Sequence, residues 1–243
     1  MNRRLGFLIV GVLAGVLSAG PARAEWVTVF REDFDGSALD ASKWIVESTN
    51  GQYSVSAGSL HMRSIPTGLP GIASLGSPIP ATGRLKIQFG FQFGATTCLG
   101  SALGLEARGT FLSQCPNSPP LVPTYRFHRD CAKGTNVNVH PVTDGFGSCG
   151  QELWGHSFDS NPPAYHVGEF NFASDSVYVV IDGTLFDTDT SGGPRPNTIH
   201  FGGPGDLCCN YTEYDVDFVQ VQVWDEPVPS RPLSWGQLKS VYR

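Results

Sequence analysis

Along this chain apolar residues recur at every second position, and no stretch holds a helical period for long. The clearest run is YDVDFVQVQVW (214–224), where Val219, Val221 and Val223 alternate with Gln220 and Gln222. That is the period of a half-buried strand. Followed backwards, the valine face reaches Asp217 and Asp215. An unpaired carboxylate beside a core costs roughly several kcal/mol. Either the strand bulges between Phe218 and Val219 and changes face, or the acids have a partner, and a cation is one choice.

The other runs fit the same scheme. WVTVFREDF (26–34) reads as an opening strand turned by Asp35-Gly36, and the step that follows, 39–44, buries Trp44. Residues 53–55 and 60–62 flank a glycine turn at Gly58. In GRLKIQFGFQF (83–93), Leu85, Ile87 and Phe89 share one face. In 103–111, Leu103, Leu105 and Ala107 oppose Glu106 and Arg108. Residues 124–129, 137–140, 165–172 and 197–201 are further strands, and SVYVVIDGTLF (176–186) is a hairpin around Asp182-Gly183. The prolines of 64–82 and 115–123, and the Gly, Ser and Pro of 145–163, predict loops. About ten to twelve short strands without a long helix predict an all-β sandwich or barrel.

The ends change the picture. Asn2-Arg3-Arg4, the apolar run 5–17 and Ala22-Arg23-Ala24 form a bacterial-type secretory signal peptide over 1–24. Its removal takes three of the sixteen basic residues and no acid, so the net charge moves from −6 to −9. An acidic exported chain lacks the basic face that nucleic acid requires, and no later run is apolar enough to span a bilayer. The expected destination is secreted, periplasmic or cell-surface. The sandwich is expected over 25–225. Residues 226–243 are a Pro-rich linker and a short tail that either frays or docks a sorting partner. Cys98, Cys115, Cys131, Cys149, Cys208 and Cys209 lie in the mature part, an even count that predicts disulfides, with fifteen pairings open.

Four segments read together as a family pattern: FREDFDGSALDASKW (30–44), VSAGSLHM (55–62), YHVGEFNFASDSVYVVIDG (165–183) and YDVDFVQVQVW. In their order they resemble the concanavalin A-like lectin/glucanase superfamily, nearest to family sixteen glycoside hydrolases and laminin G-like domains. Residues 95–160 do not match. The resemblance implies a jelly roll of two curved antiparallel sheets with ligands on the concave one. It also implies a structural calcium, held at the matching positions Asp33, Gly58 and Asp217. Aspartate and carbonyl oxygens are the hard ligands calcium takes.

Hydrolases of that family carry Glu-x-Asp-x-(x)-Glu on one strand, because retaining chemistry needs two carboxyls about 5 Å apart and alternate strand residues supply the spacing. Here Glu106 is followed on its face by Arg108 and Thr110, and Glu152 by Trp154 and His156. Glu213-x-Asp215 continues to Asp217 but lies on the closing strand, which in the family is not the catalytic one. No catalytic residue is assigned. The expected function is non-catalytic binding of a glycan or polysaccharide, or adhesion; a divergent glycoside hydrolase acting on β-glucan and an envelope-associated structural protein are the alternatives. A sugar site needs aromatic faces and a few polar groups. The candidates are Glu106, Arg108, Tyr125, Arg126, His128 and Trp154, each with a plain structural alternative, such as a same-face ion pair for Glu106 and Arg108.

Overall fold

A computed structural model describes residues 24–48, 51–64, 71–94, 100–109, 124–130, 134–139, 156–159, 164–189, 195–202 and 213–226. These residues form fifteen strands and no helix. In one sheet β3 (Gly51–Ser56), β4 (Ser59–Ser64), β15 (Glu213–Asp225), β6 (Leu85–Phe93), β11 (Tyr165–Phe172), β12 (Val177–Ile181) and β13 (Thr184–Asp189) lie side by side in that order, and β1 (Glu25–Glu32) also pairs with β15. The second sheet runs β2 (Trp44–Ser48), β5 (Gly71–Ser74), β14 (Thr198–Phe201), β7 (Gly100–Glu106), β8 (Thr124–Asp130), β9 (Gly134–Val139) and β10 (His156–Asp159). The ladders within both sheets are antiparallel. The fold is the jelly-roll sandwich the alternation predicts. The strands β2, β5 and β10 were not predicted; β5 is buried at all four residues, so it has no polar face to show a period.

Two hairpins close as their turn residues dictate. Ala57-Gly58 and Asp182-Gly183 have positive φ at both positions, the backbone of a tight hairpin turn. Asp182 tolerates this because its carboxylate accepts hydrogen bonds from the Val167 N–H at 2.8 Å and pairs with His166 Nδ1 at 2.8 Å. The acidic Asp182 is therefore part of a braced turn.

The core lies between the sheets. Phe89 and Phe91 of β6 and Phe170 of β11 meet Phe127 of β8, with ring centroids at 6.3, 4.9 and 4.7 Å. Trp44 packs on Phe34 and Phe201, and its indole N–H donates to Glu32 at 3.2 Å. Each aromatic buried this way stabilises the fold by about 1.5–3 kcal/mol.

The closing strand settles the carboxylate anomaly. The register of β15 against β6 shifts between Val216 and Phe218, so Asp217 is an extra residue. Tyr214 and Val216 face inward on one side of the bulge, and Val219 and Val221 on the other. Asp215 turns outward and meets His61 Nδ1 at 2.7 Å. The bulge alternative therefore holds, slightly earlier than the predicted position.

The expected signal peptide (1–23 of it), the expected linker and tail beyond Glu226, all six cysteines and Trp154 lie outside the described residues. Gly168 on β11 faces the core opposite Phe127. A Cβ at this position would stand 2.4 Å from Phe127 Cζ. Gly168→Ala should destabilise the chain by about 1–3 kcal/mol through overpacking, read as a lower urea midpoint; an unchanged midpoint would show that Phe127 does not need this gap.

Candidate functional site

The outer face of the seven-stranded sheet follows from which residues point inward. On β7 and β8, Leu103, Leu105, Tyr125 and Phe127 are buried in the core. Gly104, Glu106 and Arg126 therefore take the opposite face. On β14 Ile199 and Phe201 point inward, which sends Thr198 and His200 out. On β2 Trp44 points inward, which sends Ile45 and Glu47 out. The register places Ala73, His200, Gly104 and Arg126 in one row across the sheet, and Thr198, Glu106 and Thr124 in the next. Gly104 has no room for a side chain: a Cβ would lie 2.2 Å from the Tyr125 carbonyl oxygen and 2.8 Å from Arg126 Cβ.

Four charged or titratable groups converge on this face. Arg108, just past the end of β7, donates Nε–H to Glu106 at 2.6 Å. Its two terminal nitrogens hold both oxygens of Glu47, with Nη2 at 2.7 Å and Nη1 on the other oxygen. His200 stands between the same two carboxylates, with Nδ1 3.3 Å from Glu106 and Nε2 3.8 Å from Glu47. The Glu106 and His200 side chains are 15% and 13% exposed, against 36% for Glu47 and 34% for Arg108. The cluster is thus a recessed floor with an accessible rim.

The electrostatics follow from the contacts. The hydrogen bond from Arg108 holds Glu47 below the usual carboxylate range, and the same pairing raises Arg108 above the ordinary guanidinium value. Burial pushes His200 down, so its imidazole is neutral at neutral pH. Two carboxylates then face one guanidinium, and each carboxylate oxygen has a neighbour of its own.

The predicted site residues divide. Glu106 and Arg108 come together, and their same-face ion pair is real but belongs to a larger network. Arg126 shares their face across Gly104. Tyr125 is a correction: it is fully buried and packs on Phe172 and Phe170 at 5.1 and 6.2 Å, so its ring offers no stacking face. His128 lies on β8 two residues beyond Arg126; its side chain, like Trp154, is outside the described residues. Glu47 and His200 were not predicted. Each alternates with inward apolar neighbours, which marks it as outward, but only the order β2-β5-β14-β7 brings them to Glu106.

Two of the three predicted calcium positions, Asp33 and Asp217, have side-chain partners. Asp33 gives both oxygens to Arg31, at 2.9 Å from Nε and 2.6 Å from Nη2. Asp217 is hydrogen-bonded with Tyr165. Gly58 sits in its turn with a Cβ position 3.7 Å from Asp35 Oδ1. Among the described residues no group of three His, Cys, Asp or Glu side chains is placed to hold a metal.

No family model and no curated protein matches the sequence. Solved structures match the fold. The catalytic domain of an endo-1,3-β-glucanase (laminarinase) from Thermotoga petrophila aligns at TM-score 0.51 and 11% identity, over 84% of this chain and 100% of that one. The laminarinase catalytic domain from Thermotoga maritima aligns at 0.51 and 13%, over 83% and 99%. A structure from work on endo-acting O-glycanases of the human gut microbiota, which initiate mucin breakdown, aligns at 0.52 and 14%, over 82% and 100%. The chain has the concanavalin A-like jelly-roll fold. On this jelly roll the outward positions of the described strands in the seven-stranded sheet nowhere place carboxylates at alternate positions of one strand. Glu47 and Glu106, which share Arg108 and His200 as neighbours, come from different strands.

The Glu47–Arg108 contact sets a pH dependence. A carboxylate with a depressed folded pKa stabilises fully above its unfolded value and loses that contribution as pH falls through the folded one. Wild type should therefore exceed Glu47→Gln in urea stability at about pH 7, and the gap should close toward about pH 3. A gap that widened on acidification would contradict the pairing.

Proposed function

We propose that this exported jelly roll binds a polysaccharide along the outer face of its seven-stranded sheet without cleaving it. The observation that carries this reading is the recessed cluster of Glu47, Glu106, Arg108 and His200 beside Arg126 on one sheet face. Sugar hydroxyls both donate and accept, and planar charged groups fixed by one another meet them with little ordering cost. Hydrogen bonds to charged groups contribute about 1.5–3 kcal/mol each, more than neutral ones. The similarity to β-glucanase structures supports a β-glucan as the first ligand to try. Export rests on the 1–24 leader, with the tail docking a sorting partner. Among the described residues no helix is long and apolar enough to cross a membrane.

Hydrolysis is the second reading, favoured by one observation: Glu47 and Glu106 share one guanidinium and one imidazole. Against it, an acid catalyst needs a raised pKa, and Glu47 is lowered. Affinity electrophoresis in laminarin, mixed-linkage β-glucan and mucin glycans should retard the chain in at least one gel, and Arg108→Ala should lose about tenfold in affinity. Retardation in none would sink the binding reading. Reducing ends released by wild type but not by Glu47→Gln or Glu106→Gln would replace it with the hydrolase.

We infer that Arg31, rather than calcium, ties the opening strand to the closing one. Its guanidinium holds Asp33, donates to the Gln220 side chain and lies 5.2 Å over the Phe218 ring. Melting should be indifferent to chelator and fall in Arg31→Ala; a drop with chelator alone restores the calcium expectation.

A further inference from the structure

The outward aim of Arg108 is not explained by β7, which ends at Glu106. Beyond it Ala107 is buried, and Gly109 leaves the strand with φ of +84°. Nothing in the β7–β14 ladder pairs with the backbone of residue 108. That pairing comes from a side chain. The Asn197 carboxamide accepts the Arg108 N–H at 2.9 Å through Oδ1 and donates to the Arg108 carbonyl at 2.8 Å through Nδ2. It takes the place of a peptide unit and continues the ladder past Glu106.

Asn197 is itself held rigidly. Its N–H donates to the Glu106 carbonyl at 2.9 Å, its carbonyl accepts from Ser77 Oγ at 3.2 Å, and Thr198 Oγ1 donates to its Oδ1 at 3.0 Å. Two residues earlier, Arg195 donates to the carbonyls of Pro80, Gly83 and Thr82 at 2.7, 2.7 and 3.2 Å. The segment before β14 is thus fastened to a loop on its other side.

We propose that Asn197 is the positioning residue of the ligand-binding face: it fixes the Arg108 backbone so that one guanidinium reaches both Glu47 and Glu106. This rests on the binding reading above. Asparagine is suited to the task because its amide presents a donor and an acceptor as a peptide does. Aspartate keeps the acceptor and loses the donor, and alanine loses both.

A double-mutant cycle in the full mature chain tests the proposal, with laminarin as the probe. Asn197→Ala should weaken binding about as much as Arg108→Ala, by about tenfold, and should add less than about twofold in the Arg108→Ala background. Asn197→Asp should fall between and serves if the alanine variant does not fold. Wild-type affinity in both Asn197 variants, or losses that multiply, would overturn the positioning role. A ligand-free readout separates this from failure of the binding reading. The Arg108 Nε–H resonance, protected in wild type by Glu106, should exchange rapidly in Asn197→Asp. If wild type binds no laminarin but this signal behaves as stated, the binding reading fails and the positioning stands. An unchanged signal overturns the positioning itself.

Discussion

At Asp217 the strand β15 carries one residue more than its neighbour β6, and the composition of the core depends on that extra residue. Strand side chains alternate strictly, so a run of five alternate positions ending in Asp217 and Asp215 would carry two carboxylates into an apolar interior. The bulge reverses the phase. Tyr214 and Val216 replace the acids on the inner face, and the Tyr214 hydroxyl accepts the Gly202 N–H at 2.8 Å. Burial raises the Tyr214 pKa, so the phenol stays neutral there. The acids on the outer side gain His61 and Tyr165 as partners. Because β15 pairs with β6, β4 and β1, the phase of this one strand aligns most of the eight-stranded sheet.

The seven-stranded sheet turns the same rule to another end. Its inner face is aromatic and aliphatic, so its outer face is free to collect charge. Burying carboxylates there is tolerable only when a cation and hydrogen bonds accompany them. Arg108 supplies both, and its guanidinium fork engages two carboxylates at once where an ammonium would offer a point charge. Each carboxylate oxygen in this half-buried network has a neighbour of its own. Glu47, held ionised by Arg108, lacks the raised pKa that a general acid needs.

Much of the fold was legible. The alternation in 83–93 and 165–172 is strong because one face of each strand meets the opposite sheet and the other meets water. Asp182-Gly183 announced its hairpin because few other pairs accept positive φ twice. The misses have physical causes as well. Buried on all four residues, β5 has no period to read. For Tyr125, the alternation of 124–129 names two faces without saying which is inside. The neighbouring Phe127 resolves it, since it packs among Phe89, Phe91 and Phe170 of the other sheet.

The site was legible only in part. Local spacing is enough to put Glu106 and Arg108 on one face, because residues two apart in an extended chain must share it. No local rule could add Glu47 or His200, which reach the cluster from 59 and 94 positions away in the chain, nor show that Asn197 would stand in for a peptide bond. By itself the sequence determined most of the strands, the two turns and which residues of a strand share a face, all consequences of short-range sterics and of period-two burial. Strand order, the phase change at Asp217 and the meeting of two carboxylates around one guanidinium were decided by the tertiary structure. They depend on which strands become neighbours, and that choice is made by packing between sheets rather than by anything within one strand.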